Sequence, residues 1–567
     1  IVESGNDCYN RKDRLTERGR RGRFLPHAAK SGTPFKKIRE VIDLKTVKTA
    51  KKRRANTAAA IDIGSKLLRM RIAQMSKGNL QDLEYLEYPT SIGHEVFTNG
   101  KISFESIRAL SSALHGFSKL MEEYGVSSSR VVATTALREA ANRAFVVDQL
   151  KVQSGMQVEI LEDNQEKAYV YGEIAQKIPA AAEDGYELYS YIGTGSVGVA
   201  VVHNGLVVFS KNVPVGVLKL RDMLGDLQNA TNDFHEVLEE YIHVSMGRFI
   251  SVYPGGFPNI SRLVLSGNGS SLVARLCSAK QKNGVFQIAS EKISELYRAI
   301  CKQTPEKISF AYRITDSDAE LLYSTLALYL YLINLTGAET VYAPPVDLLH
   351  PMLREMLTPK NRDSSFVQLR ESTLACVRLL AGSFQCDMKH SEQILIFAET
   401  LFDKMKEIHG LDARRRLLLD TACLLHECGY CTQPRQYSSS AFHLIRSMDI
   451  YGITENDLYL VASAFLPADD TESILTLTPK QRLVVSKLAA LFRLADALDQ
   501  SQKQKLRNLK VRLDKNRLLV TAESSQNTSL EEWAFAQEVS FFEEVFGIHP
   551  ELTIHAALPS PTKHGKV

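Results

Sequence analysis

The chain has no apolar run approaching the roughly 18 residues that a membrane-spanning helix needs. No apolar stretch follows its early basic residues as a secretory leader would require. A membrane partner is therefore not expected, and a cytoplasmic location is. Cysteine is sparse, with eight in 567 residues, scattered except for Cys428 and Cys431. That excludes a disulfide framework as the source of the fold and fits a reducing compartment. Positive charge is short too, once one segment is set aside. Residues 1–56 hold 17 Lys/Arg against 6 Asp/Glu, so with a formal net of +4 the remainder carries −7. The basic segment includes the runs 18–23 (RGRRGR) and 51–54 (KKRR) and reads as a disordered arm. It is either a solvated tail or a polyanion-binding arm.

The rest has the composition of an ordinary globular protein, 44% hydrophobic and 24% charged, and enough length for three or four domains. Residues 57–75 read as strand, turn, strand, and 103–124 have helical spacing. Strands at 131–135 and 158–161 each precede a helix, which predicts an α/β lobe over 57–185. A second lobe, 186–360, begins with strands at 188–193, 197–202 and 205–211. It continues through a strand at 263–265 and a long apolar helix at 317–336. Residues 360–365 are polar and linker-like, 366–505 are nearly all helical, and 506–560 return to a small α+β segment.

One pattern recurs. Residues 59–65 (AAIDIGS) and 191–200 (YIGTGSVGVA) each run from an apolar strand into a small-residue loop and back into a β-type run. Such loops let backbone N–H groups approach an oxyanion. Asp62, Gly64 and Ser65 form the first candidate phosphate loop, and Gly193, Thr194, Gly195 and Ser196 the second. Gly267 and Gly269 mark a third strand–glycine–helix junction. Arg138 opens a helix after a strand, where a guanidinium can meet phosphate in two places.

The same residues carry a resemblance. Residues 60–65 (AIDIGS), 133–142 (ATTALREAAN), 158–161 (VEIL), 192–196 (IGTGS), 210–220 (SKNVPVGVLKL) and 266–270 (SGNGS) resemble the Ppx/GppA family. So do His390, residues 425–429 (LHECG), 491–499 (LFRLADALD), 531–533 (EEW) and 542–547 (FEEVFG). The resemblance spans about 57–555. It implies two actin/Hsp70-like, ribonuclease-H-like lobes, then an all-α HD-like domain and the small α+β segment. It further implies exopolyphosphatase or guanosine pentaphosphate phosphohydrolase chemistry, a stringent-response context, polyphosphate or guanosine penta/tetraphosphate as ligand, Mg²⁺ held through Asp62, and a homodimer.

Departures from the family pattern shape the expected activity. The resemblance places Gln165 on the position of the general base, and Gln cannot take a proton from water. Glu166 is adjacent but about 100° around the helix, so it is expected to face elsewhere unless the helix start slips by one residue. Tyr191 replaces an Asp of the second loop, Thr194 a Gly, and Gly198 stands near a usual Glu. Lys66 replaces an Asn. Binding of phosphate is therefore expected to be better preserved than hydrolysis; the alternatives are an active exopolyphosphatase releasing terminal phosphate from polyphosphate and a non-catalytic regulatory or scaffold protein. In the helical domain His390, His426, Glu427 and Asp496 supply part of an HD-type ligand set. Residues 437–442 and 465–468 lack further histidines, so a scaffold without working metal chemistry is expected there. Cys428 and Cys431 beside His426 are read as buried thiols rather than zinc ligands.

Overall fold

The computed structural model describes residues 56–179, 185–230, 234–358, 364–466 and 476–556. The basic arm up to residue 55, most of the linker at 360–365 and residues 467–468 lie outside the described residues.

The first lobe is built on β1 (Thr57–Ile63), β2 (Leu67–Ser76), β3 (Asn79–Pro89), β4 (Ser128–Ala133) and β5 (Val158–Ile160), in the order β3-β2-β1-β4-β5. The first three are antiparallel, and β1, β4 and β5 run parallel. Every residue of β1 is buried, as a strand covered on both faces requires. Its side chains alternate. Ala59, Ile61 and Ile63 enter the core beneath the helix Phe104–Glu123. Ala58 and Ala60 face a second cluster with Leu349, Met352 and Leu353. Those last residues belong to the helix Leu349–Leu357, which follows the second sheet in sequence yet packs on β1 and β2. The first lobe is thus completed by chain from beyond the second.

The second lobe has seven strands: β6 (Tyr186–Ile192), β7 (Val197–His203), β8 (Leu206–Val213), β9 (Ile260–Gly267), β10 (Lys280–Lys282), β11 (Val285–Ala289) and β12 (Thr340–Ala343). Their order is β10-β11-β12-β9-β6-β7-β8. The helix Asp316–Thr336 lies in the core of this lobe. By length and composition it is apolar enough to cross a membrane, with a mean hydropathy of 1.2. This corrects the expectation that no such run exists. The helix passes because it is buried on most sides, 61% of the window being inside the fold.

From Ser364 to Ala497 the described chain is helical. It is followed by β13 (Arg507–Asp514), β14 (Arg517–Ser524), the helix Ser529–Phe546 and β15 (His549–Ala556), which form a sheet in the order β13-β14-β15. Val511, Leu518, Val520 and Phe542 share one core with the helical domain, so the closing segment is part of that body.

Candidate functional site

The two glycine loops face each other. Gly64 N–H donates to Leu67 O at 3.0 Å, which closes the turn between β1 and β2. Gly193 N–H donates to Ser196 O at 2.9 Å, which closes the matching turn between β6 and β7. Between them is a cavity of about 130 Å³ lined by Asp62, Gly64, Ser65, Thr134, Thr135, Glu166, Tyr191, Gly193, Thr194, Gly267 and Asn268. Lys66 and Arg69 also reach it. The second loop is braced from behind by Gly216, which approaches so closely that a Cβ there would sit 2.3 Å from Gly195 N and Thr194 O. Backbone cannot yield as a side chain can, so Gly216→Ala is expected to lower stability by about 1–3 kcal/mol or more. A depressed thermal midpoint would show it, and an unchanged one would mean the loop moves freely.

Of the residues read as phosphate-binding, Asp62, Gly64, Ser65, Gly193, Thr194 and Gly267 line the cavity. Gly195 and Ser196 instead build the turn, and Gly269 starts the short helix Ser270–Leu276. Arg138 is corrected in its role. Its guanidinium donates to Leu161 O at 2.5 Å and to Asp163, and lies 3.5 Å from Glu166 Oε2. It holds the cavity's carboxylate wall from behind.

The larger correction concerns Gln165 and Glu166. Gln165 Oε1 accepts the Glu162 N–H at 3.0 Å, capping the helix Asp163–Lys177. Its side chain lines a different cavity, of about 360 Å³, with Tyr169, Tyr171, Phe366, Ser372 and Tyr451. Glu166 is the residue that faces the interlobe cavity, and it is buried. A Gln three residues into a helix satisfies an otherwise unpaired N–H, and this fixes the phase that turns Glu166 inward. The start of this helix is anchored on the helical domain. Glu162 Oε2 accepts the Glu455 N–H at 2.7 Å, and Asn164 Nδ2 donates to Asp449 at 2.6 Å.

Charge in the cavity is dense and paired. Arg69 donates to Asp62 Oδ2 at 2.5 Å. Lys167, almost wholly buried, lies 3.4 Å from Glu166 Oε1 and 5.1 Å from the Tyr191 ring centroid. Its stem occupies the space that Gly198 leaves, since a Cβ on Gly198 would lie 2.4 Å from Lys167 Cε. Burial pushes the Asp62 carboxyl up, with Arg69 opposing. Burial also pushes Glu166 up, but Lys167 and then Arg138 outweigh it and hold that carboxyl below its ordinary range. Burial raises the Tyr191 phenol, which stays neutral. Lys66 reaches across to Asp318 at 3.2 Å, joining the two lobes at the cavity's edge.

Among the described residues, four buried polar atoms of this wall have no hydrogen-bond partner: Asp62 Oδ1, Ser65 Oγ, Arg69 Nε and Glu166 Oε2, the last of which faces the Arg138 guanidinium at 3.5 Å. Buried polar atoms are seldom left so, and all four residues line the same cavity. Asp62 Oδ1, a carboxylate oxygen without a hydrogen-bond partner, fits Mg²⁺, which takes one or two carboxylates and completes its shell with water and substrate phosphate.

In the helical domain the structure brings His390, His426 and Asp496 together, their ligand atoms within 4.8 Å of one another. Glu427 is excluded from that group. It accepts the Asp387 N–H at 2.7 Å and the Gln502 amide at 2.8 Å. Burial disfavours a charged His390, but Asp496 and Asp499 outweigh it and push its pKa up to about 9. Burial lowers His426. Cys428 is buried and Cys431 exposed, with the Cys431 thiol donating to Cys428 O at 3.0 Å.

Sequence reasoning missed Arg69, Thr134, Thr135, Asn268 and Lys167. Arg69 had a signal: a charge at an alternating position within the apolar strand 67–73. Lys167 had none, because a lysine in a helix is ordinarily solvated.

Two facing lobes, each with a glycine loop at its strand ends, define an actin-like phosphate-cleft fold. The Ppx/GppA phosphatase family profile matches residues 71–328, and the profile of Ppx/GppA phosphatase domain III matches 370–539. Together they span well over half of the chain, and the chain belongs to the Ppx/GppA phosphatase family. Solved structures similar to it include the Aquifex aeolicus Ppx/GppA family member, 20% identical over 55% of this chain and 99% of that one, with a TM-score of 0.46. An exopolyphosphatase from Cytophaga hutchinsonii is 16% identical over 53% of this chain and 98% of its own, with a TM-score of 0.47.

Proposed function

We propose that the cleft binds the end of a phosphoanhydride chain, polyphosphate or a guanosine penta/tetraphosphate, and hydrolyses its terminal phosphate slowly. The observation that carries this reading is Glu166, a buried carboxylate that lines the cavity between two phosphate loops with one oxygen, Oε2, held by no hydrogen bond and facing only the Arg138 guanidinium at 3.5 Å. In this reading the backbone N–H groups of the two loops, Ser65 Oγ and Thr194 receive the phosphate oxygens. Glu166 Oε2 takes a proton from the attacking water as the P–O bond to the chain breaks, and the shortened chain leaves with the electron pair. Asp62 Oδ1 would hold Mg²⁺, which when bound neutralises phosphate charge.

Two features support a slow rate. Lys167 and Arg138 keep Glu166 ionised but weakly basic, and base strength governs proton transfer. Tyr191 supplies no second carboxylate for a metal. A reading with binding and no turnover rests on the same two features. Purified protein with long-chain polyphosphate and Mg²⁺ decides between them. Slow, saturable phosphate release supports hydrolysis. Retention of polyphosphate without release supports binding alone, and neither release nor retention would sink both.

A further inference from the structure

The cavity of about 360 Å³ that Gln165 lines is not part of the cleft. It lies where the helix Asp163–Lys177, strands β6 to β8, the helix Leu349–Leu357 and the helical domain meet. Its size falls within the range of about 300–1,000 Å³ usual for small-molecule sites. Five aromatic side chains wall it: Tyr169, Tyr171, Tyr189, Phe366 and Tyr451. Tyr171, Tyr189 and Tyr451 are buried, and the Tyr171 and Tyr451 rings stack at 6.1 Å and 26°. Faces of this kind receive a flat ring. Gly172, in the middle of a helix, borders the same space, and a Cβ there would meet nothing within 4 Å. Glycine weakens a helix interior, so its bare backbone leaves room at some expense of stability.

The polar groups of the wall separate into two kinds. Its charged members are two of each sign, Arg354, Arg414, Glu173 and Glu355. All are matched. Arg354 donates to Glu173 Oε2 at 2.7 Å, Arg414 to Asp457 Oδ2 at 2.5 Å, and Glu355 accepts from Tyr169 and from Arg130 at 3.3 Å. An anion entering here finds both arginines already neutralised. The amides are the reverse. Gln165 Oε1 holds the Glu162 N–H and Gln176 Oε1 accepts from Arg354. Among the described residues, the Nε2 groups of both and the whole Gln368 amide have no hydrogen-bond partner. Gln165 and Gln368 are only half-exposed.

We propose that this cavity binds an uncharged planar nitrogen heterocycle of the nucleobase class, its ring against the tyrosine faces and its edge on Gln165, Gln176 and Gln368. A primary amide offers a donor and an acceptor side by side, the pattern that base edges complement. Aromatic faces add stacking for any such ring, and the balanced charge of the wall disfavours phosphate. Gln165 and Glu166 line different cavities from one helix, so the heterocycle and a phosphate chain do not share a site, and binding requires no turnover in the cleft.

The test titrates the full chain by calorimetry with adenosine, inosine, uridine and cytidine as probes. The expected result is one saturable site per chain for at least one of them. Gly172→Leu puts a side chain into the cavity and is expected to abolish that binding. Leucine favours a helix more than glycine does, so an undiminished thermal midpoint shows that the variant folds. Gln368→Leu is expected to weaken binding about tenfold or more. The 5′-monophosphate of the same nucleoside is expected to bind more weakly, and excess tripolyphosphate to leave nucleoside binding unchanged. Absence of saturable binding by every probe overturns the proposal. So does binding undiminished by Gly172→Leu or Gln368→Leu, binding that tightens with the added phosphate, or displacement by tripolyphosphate, which would place the nucleoside in the cleft.

Discussion

Glu166→Gln is expected to lower phosphate release from long-chain polyphosphate by about 10²–10⁴-fold, the usual worth of a positioned general base. Gln165→Glu is expected to leave the rate near that of the wild type. The contrast follows from helix phase. Gln165 Oε1 is engaged with the Glu162 N–H and its side chain lines the cavity toward the helical domain. Glu166 lines the interlobe cavity, and its Oε2 is held by no hydrogen bond. Substituting Gln at 166 preserves shape and removes only the proton acceptor, so polyphosphate retention should survive while turnover falls. A rate unaffected by Glu166→Gln, or raised by Gln165→Glu, would return the base to position 165.

Lys167→Met is expected to destabilise the fold by about 3–5 kcal/mol at neutral pH, because it leaves a buried carboxylate short of its nearest cation. Arg138 remains 3.5 Å from Glu166, which places the loss at the lower end. Met keeps most of the stem volume, so the space beside Gly198 stays filled and the effect is chiefly electrostatic. Its pH dependence has a definite sign. Glu166 lies below its ordinary range in the fold. Its contribution is therefore present above the unfolded value of about 4.3 and is lost as pH falls through the lower folded value. The gap between wild type and Lys167→Met should narrow in acid, where a protonated Glu166 needs no partner. Denaturant unfolding at pH 7 and near pH 4 measures both; a gap that does not depend on pH would mean that the variant acts through packing alone.

Much of this arrangement was legible in the chain. The apolar strands that run into small-residue loops at 59–65 and 191–200 placed the two glycine loops at strand ends, where ligand clefts of α/β folds form. What was not legible had two causes. Charged side chains that turn inward, such as Arg69 and Lys167, leave no mark in a periodicity defined by apolar residues. The Gln165–Glu166 choice depended on a single residue at the helix start, and boundaries are where sequence patterns are weakest. A capping Gln and a cavity-facing Glu are interchangeable on paper until one hydrogen bond fixes the phase. The same limit hid β3, β10, β11 and β12, which are short, polar or at sheet edges.

The helix that aims Glu166 begins with its first turn tied to Glu455 and Asp449 of the helical domain. The cleft is therefore not a self-sufficient half of the molecule. Its orienting element has one end in each body, like a lever with its fulcrum outside the chamber it serves. Whatever changes the population of conformations at 449–455 changes the free energy of presenting Glu166. By thermodynamic reciprocity, occupancy of the cleft must act back on that segment with equal strength. Excising the two lobes would sever this tie and remove the partners of Glu162 and Asn164 together.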